Sequence, residues 1–219
     1  MSTEKNIIIT EEFVHQFDSY MKKYPELYND FAHIVKNYLS SSKPVIIDLG
    51  AGSGILACAL HDFIPSASLI GVDSSYFMLQ TAQQNTNNKG CTNFSSIQAQ
   101  AENLPFANNS VDFVVSRSSI FYWKTPASGV HEMYRVLRPK GYLIIDSINP
   151  QFPRWRLTFM KILMRFHGAA EPIIQYQENA FKQAYTKEQV EQFLTESGFT
   201  IVDKKGKQRD WKYLIVARK

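Results

Sequence analysis

Asp48-Leu49-Gly50-Ala51-Gly52-Ser53-Gly54 sets three glycines at alternate positions behind a carboxylate. Glycine is needed where a chain turns tightly and where a ligand must come close to the backbone. Val45-Ile46-Ile47 before the glycines reads as a buried strand and Ile55 onward as a helix, so they mark a strand-to-helix turn. A dinucleotide loop runs Gly-x-Gly-x-x-Gly and rests its pyrophosphate on the helix N-terminus. Here the third glycine comes one position early, and Ile55 stands where that pattern wants a small residue. Asp48 discriminates further, because a carboxylate beside the loop would repel a phosphate. It suits a ligand that lacks phosphate and carries a sulfonium and an ammonium group. A plain tight turn is the bland alternative.

Gly71-Val72-Asp73 closes a second expected strand. A carboxylate about 20 residues beyond a glycine loop can accept both hydroxyls of a ribose. Asp73 or Ser74 could instead cap the following helix. The ribose reading is favoured by strand position and spacing, and it serves NAD and S-adenosylmethionine equally.

These residues need a frame, and the rest of the chain supplies one. Residues 11 to 39 carry apolar residues at helical steps, with Pro25 interrupting them near Tyr24. From Val45 the pattern alternates short apolar runs with helical stretches. Strands are expected at 45–49, 68–73, 92–98, 111–116 and 141–148, with helices at 55–64, 75–87 and 130–137. Such alternation implies a doubly wound parallel α/β sheet. Residues 150 to 184 break the rhythm with Pro150, Pro153 and Pro172 around one helix near Arg156–Phe166. Thr186 with Gln189 three residues on resembles a capping box, and Gly198 ends that helix. Runs at 199–204 and 211–217 read as an antiparallel pair closing a seven-stranded sheet. The expected organisation is one domain over 1–219: a helical cap to residue 43, a core over 44–149, a lid insert over 150–184 and closing elements over 185–219.

Five segments in this order resemble the class I S-adenosylmethionine-dependent methyltransferases, the broad family that includes the ubiquinone and menaquinone biosynthesis enzymes. They are 45–54, Ile70-Gly71-Val72-Asp73, Gln100-Ala101-Glu102-Asn103-Leu104-Pro105-Phe106, 110–116, and Arg135-Val136-Leu137-Arg138-Pro139-Lys140-Gly141-Tyr142. The similarity covers roughly residues 40–149 and 185–219. The resemblance implies a Rossmann-like fold and S-adenosylmethionine as cofactor. It implies that Gly50, Ala51 and Gly52 line the methionine and ribose portion, with Asp48 near the methionine ammonium. Asp73, beside Ser74, is implied for the ribose, and Ala101 and Glu102 for the flanks of the adenine. Ser116 and Arg117 are implied near the reactive methyl. Gln100 departs from the Asp common in the family, and its carbonyl can still accept from the adenine amino group. Leu104-Pro105-Phe106 reads as a packed turn.

In an open α/β sheet, ligands bind beyond the carboxyl ends of the strands. Phe17 and Tyr20, Tyr122 and Trp123, and the 150–184 insert are expected to converge there, with Tyr20 counted among the cofactor contacts. For Phe17 and Tyr20, core packing weighs equally. Arg154-Trp155-Arg156, with Lys161 and Arg165, reads as a solvated helix face more than as a contact for an anionic substrate. The five histidines are scattered; His167 and Tyr122 are the candidate general bases, and His131 is expected to face outward. No metal cluster is visible. The expected reaction is in-line methyl transfer to a small-molecule acceptor, with a methyltransferase acting on RNA or protein as the alternative. An NAD-binding oxidoreductase or a non-catalytic cofactor-binding module is the alternative of another class.

Composition agrees with an enzyme of this size. With 44% hydrophobic residues the chain of 219 can bury a sizeable core, and a net charge of +4 does not mark a nucleic-acid binder. Cys58 and Cys91 are too few for a disulfide framework and are expected to be free thiols. The polar Met1–Lys5 start and the lack of a long apolar run lead to an expected cytoplasmic protein with no membrane partner. Oligomeric state is not legible.

Overall fold

Val45–Leu49 (β1) is apolar toward both sides, and Ile46 and Ile47 are fully buried, so this strand belongs in the middle of a sheet covered on both faces. In the computed structural model, which describes residues 9–219, it does sit there. The polar Met1–Lys5 segment and the start of the expected cap lie outside the described residues. β1 pairs in parallel with Ser68–Asp73 (β2) on one side and Val111–Arg117 (β4) on the other. Phe94–Gln98 (β3) flanks β2 and Leu137–Ile148 (β5) flanks β4. Lys212–Arg218 (β7) runs antiparallel to β5, with Thr200–Lys205 (β6) at the edge. The order β3-β2-β1-β4-β5-β7-β6 is the expected seven-stranded, mostly parallel sheet with an antiparallel closing pair.

Each face buries its own set of alternating strand residues. Ile47, Val114, Ile145 and Ile215 pack with Val130 and Met133 of Pro126–Val136 (α5) and Val190 and Leu194 of Lys187–Glu196 (α8). Ile46, Val115, Ile144 and Val216 pack on the opposite face. Their partners are Phe31 and Val35 of Glu26–Asn37 (α2) and Leu56 and Leu60 of Ile55–Phe63 (α3). Tyr76–Lys89 (α4) joins that face through Ala82. A third cluster stands apart: Phe13, Val14 and Tyr20 of Glu11–Met21 (α1) meet Met164 of Arg154–Phe166 (α6) and Ile173 and Ile174 of Glu171–Gln183 (α7). These three helices form a cover over the carboxyl ends of the strands.

Several boundaries differ from expectation, each for a local reason. The insert holds two helices rather than one, because Pro172 occupies the first turn of α7, where its missing N–H breaks no helical bond. β5 begins at Leu137, before the Pro139–Gly141 turn, since Leu137 already pairs with Val111 ahead of a register shift. β3 starts at Phe94 rather than Thr92. The cap of α4 is neither Asp73 nor Ser74 but Ser75, whose hydroxyl accepts from Met78 N–H. The Thr186–Gln189 capping box forms as expected. Leu104–Phe106 is indeed a packed turn. Arg135 donates to the carbonyls of Leu104 and Phe106, while its partner Glu132 accepts from Leu104 N–H. Among the described residues, no helix is long and apolar enough to cross a membrane.

Gly54 shows why the third glycine comes early. Its φ is +77°, and a Cβ there would lie 2.8 Å from the Ala82 Cβ of α4, so the glycine lets α3 start against α4. Gly54→Ala combines a left-handed alanine with overpacking, together costing about 2–4 kcal/mol. Urea unfolding is expected to show a lower midpoint at unchanged slope; a midpoint equal to wild type would show that the two helices are free to separate.

Candidate functional site

The chain runs β1-β2-β3 to one edge and returns to β4 beside β1, so the carboxyl ends of β1 and β4 diverge at a switch point where a crevice must open. A cavity of about 840 Å³ lies there. Its floor is the glycine loop and the end of β4, and its roof is the cover of α1, α6 and α7.

The loop has few hydrogen bonds of its own and takes them from β2. Val72 carbonyl accepts from the N–H groups of Gly50 (2.8 Å) and Ala51 (3.0 Å). One oxygen of Asp73 accepts from Gly52 N–H (2.9 Å) and the other from Ser75 N–H (2.9 Å). A carboxylate has about four lone-pair sites, so Asp73, facing the N–H groups of Ser75, Gly52 and Ser74, keeps capacity to accept from a ligand hydroxyl. Burial raises its pKa, opposed by those N–H donors. Gly50 has φ +77°, and a Cβ on it would collide with the Ser119 side chain. Gly52, with φ +53°, is the reverse case: a Cβ would meet nothing within 4 Å, so that stretch of backbone is open toward the cavity.

Asp48 is 3% exposed, and its Oδ2 has no hydrogen-bond partner. Burial, reinforced by the Asp73 charge and opposed by Arg117, pushes its carboxyl up to about 7. An unsatisfied buried acceptor costs about 1–3 kcal/mol, which a cationic donor would remove. Arg117 does not supply that donor. Its Nε lies 3.4 Å from Asp146, and its guanidinium stands 4.4 Å above the Tyr28 ring.

The cavity wall includes most of the residues expected there: Asp48, Gly50, Ala51, Gly52, Asp73, Ser74, Gln100, Ala101, Arg117 and Tyr20. Two of the expected residues stand back from it. Ser116 is fully buried and bonds Ser119 Oγ at 2.7 Å, which in turn donates to Leu49 carbonyl, so it supports the loop from behind. Glu102 accepts from Thr125 N–H and holds the start of α5.

The two candidate bases both reach the cavity but differ in setting. Tyr122 donates its O–H to Tyr176 carbonyl and stacks on the Tyr176 ring at 4.8 Å. Burial and Tyr176 push its pKa far above the ordinary phenol value, so it is a neutral donor. His167 ends α6 at the exposed rim, with Nδ1 2.8 Å from Tyr24 hydroxyl. Phe17 and Trp123 line the wall too, Phe17 sharing the aromatic cluster with Phe13 and Tyr176. His131 faces outward, as expected.

Two features were invisible in the sequence. Lys212, at the start of β7, lines the cavity with its amine 2.5 Å from Ser118 Oγ and 3.3 Å from Asp146. Burial, opposed by Asp146 and helped by Arg117, pushes the amine down to about 8. Asp18 of α1 accepts from Asn85 of α4 (2.8 Å), and the same Asn85 amide donates to Ser53 carbonyl (2.8 Å), tying the cover to the glycine loop. Both link residues more than 60 positions apart, beyond any local pattern. Among the described residues, no group of His, Cys, Asp and Glu could hold a metal ion.

The folded Asp48 carboxyl keeps its proton up to about pH 7, against 3.8 for the ordinary group. The folded state therefore binds more protons in that window, and stability falls as pH rises through it. Asp48→Asn removes this penalty. It is expected to stabilise the ligand-free protein at about pH 8 by up to a few kcal/mol, read as a higher thermal midpoint, and by much less at about pH 5. An equal gain at both pH values would mean that Asp48 is ordinary in the fold.

Residues 47–145 match a family model described as a methyltransferase domain. Spinach 2-methyl-6-phytyl-1,4-hydroquinone methyltransferase is 30% identical over 151 residues, 68% of this chain and 42% of the spinach one. Demethylmenaquinone methyltransferase of Chlorobaculum parvum is 31% identical over 159 residues, 72% of this chain and 63% of that one. The match thus spans less than two thirds of either relative. The solved structure of an S-adenosylmethionine-dependent methyltransferase from Aquifex aeolicus superposes with a TM-score of 0.71 at 16% identity, covering 96% of this chain and 99% of that one, which bears on the fold. Residues 47–145 thus carry a methyltransferase domain, on a fold shared with S-adenosylmethionine-dependent methyltransferases, and over that region the chain is similar to both relatives.

Proposed function

We propose that the protein transfers the methyl group of S-adenosylmethionine to a small apolar acceptor of the quinol type, held under the helical cover. The observation that carries the reading is the pairing of an orphaned buried carboxylate and an open glycine backbone with a roofed aromatic cavity. At 840 Å³ the cavity lies in the upper part of the usual range of about 300–1,000 Å³, with room for a cofactor and part of an acceptor. The names of the two relatives support a quinol-type acceptor. A roofed apolar wall favours a small molecule over RNA or protein.

The donor set fits the cofactor. Asp48 would take the ammonium of its methionine end, and the remaining capacity of Asp73 a ribose hydroxyl. Gly50, Ala51, Gly52 and Ser74 would lie along it, and Gln100 and Ala101 beside its adenine. Tyr20 and Arg117 would close the methionine end. When bound, S-adenosylmethionine supplies an electrophilic methyl group on a cationic sulfur. The protein's own part is mostly positioning: loop and cover hold the two reactants together and keep water out. The acceptor must also lose a proton. Tyr122 holds its own too tightly and serves as a wall. His167 stands at the rim, where we place it as a contact of the acceptor's outer end. We assign the proton to Lys212, the wall amine that is partly neutral near pH 8. Free thiols at Cys58 and Cys91, both pushed up by burial, support a reducing, cytoplasmic setting. The lid is read as residues 150–184.

Calorimetry with S-adenosylmethionine, its demethylated product and NAD tests the cofactor. The first two are expected to bind and NAD not; tighter binding of NAD would sink the reading. Asp73→Ala removes both the ribose contact and the Gly52 clamp, and is expected to weaken S-adenosylmethionine by roughly a hundredfold. With a long-chain hydroquinone as acceptor, turnover is expected to rise with pH through about 8. Lys212→Met should lower kcat by roughly 10²-fold or more and flatten that rise, with little change in cofactor affinity. A rise that persists in the variant would remove Lys212 from proton transfer.

A further inference from the structure

α6 carries two apolar stripes where a surface helix needs one. Leu157, Met160 and Met164 turn inward to the cores. Trp155, Phe159, Ile162, Leu163 and Phe166 recur at three- and four-residue steps on the opposite side. Three of these rings are largely in solvent: Trp155 at 69%, Phe159 at 58% and Phe166 at 81% exposure. Single exposed apolar residues are ordinary on a soluble protein, whereas five on one face of one helix mark a contact surface.

The charge around the stripe says what kind of contact. α6 has four basic residues, Arg154, Arg156, Lys161 and Arg165, and no acidic one. Arg165 is paired with Glu171 (3.0 Å) and Lys161 with Glu178 (3.2 Å), which leaves Arg154 on one flank of the stripe and, by helical period, Arg156 on the other. Arg154 and Arg156 are exposed, and Arg156 lies over the Trp155 ring at 5.2 Å. Aromatic and aliphatic side chains on one face, cationic residues along its borders, describe a helix that lies in the plane of an anionic lipid surface. A protein groove would match the stripe but has no need of cations on both flanks. Among the described residues no helix is long and apolar enough to cross a membrane, which leaves attachment to a membrane surface open to α6.

We infer that α6 docks the protein on an anionic phospholipid bilayer, with the Trp155–Phe166 stripe at the boundary between headgroups and acyl chains. Leu163 belongs to the stripe and also lines the cavity, beside Met160 and Met164. The docked helix therefore sets the cavity wall against the lipid, and an acceptor dissolved in the bilayer can enter without crossing water. The entry of the acceptor rests on the proposed methyl transfer, whereas the docking does not.

Cosedimentation with vesicles of phosphatidylcholine alone, and of phosphatidylcholine with a third phosphatidylglycerol, tests the docking on the full chain. Binding is expected on the anionic vesicles, with a fall at high salt and a blue shift in tryptophan emission that Trp155→Phe abolishes. Phe159→Glu with Phe166→Glu touches no residue of the cofactor site. It is expected to weaken vesicle binding by roughly tenfold or more while leaving S-adenosylmethionine affinity unchanged in the same sample. Wild type that stays in the supernatant overturns the docking, as does vesicle binding that the double variant leaves intact. Self-association abolished by that variant, without vesicle uptake, would make the stripe a protein interface and also overturns it. Loss of S-adenosylmethionine binding in wild type would instead strike the proposed function, leaving the docking to the lipid result.

Discussion

The glycine loop is held by its neighbour strand, and the rest of the site depends on that grip. A turn with three left-handed glycines satisfies few of its N–H groups internally. Gly54 alone closes within the loop, on Ala51 carbonyl, and the end of β2 takes the rest: Val72 carbonyl accepts from Gly50 and Ala51, and Asp73 carboxylate from Gly52. Parallel pairing sets this up, because Asp48 lies opposite Gly71 and Leu49 opposite Val72, so the two chain ends leave the sheet side by side. β4 adds the third support through Ser119, which fills the space under Gly50 and donates to Leu49 carbonyl. Any ligand on the loop therefore rests on three strands at once, and its geometry is as rigid as the sheet.

That rigidity leaves one carboxylate exposed to its own desolvation. Asp146 and Tyr28 hold the Arg117 guanidinium, so it eases the Asp48 charge from a distance without bonding it. Lys212, a further cation of the wall, is bound to the same Asp146. Two cations thus share one anion, while Asp48 has none of its own. The imbalance destabilises the ionised form of Asp48 in the ligand-free fold.

What was legible in the sequence is what local chemistry dictates. β1 and β2 read residue for residue, since a strand buried on both faces is an unbroken apolar run. The capping box at Thr186 is a four-residue device and was equally plain. Most residues expected around a cofactor line the cavity, many of them in loops directly after strands. Illegible were features made by distance along the chain. Asp18 and Asn85 meet across 67 positions, and Lys212 meets Ser118 across 94. α7 was obscured by Pro172, a breaker in a helix interior and a natural residue in a first turn. Ser116 and Glu102 show the converse limit, since a position in a motif does not say which way its side chain turns.

The cover follows different rules from the floor, for a physical reason. The floor must present fixed donors and acceptors, so its residue types are narrowly constrained and their spacing is readable. The cover must present an apolar volume, and many combinations of Phe, Tyr, Met and Leu fill one equally well. Periodicity cannot orient a helix that is apolar on two sides, which is the case of α6: Met160 and Met164 face the cavity while Trp155 and Phe166 face away. Only the packing of Met164 with Phe13, Tyr20 and Ile173 decides which stripe is inside. The Asp18–Asn85–Ser53 bonds then tie this loosely specified cover to the tightly specified loop. A displacement of α1 is thereby coupled, through one Asn85 amide, to the loop backbone at Ser53, so floor and roof are joined by a bond as well as by packing.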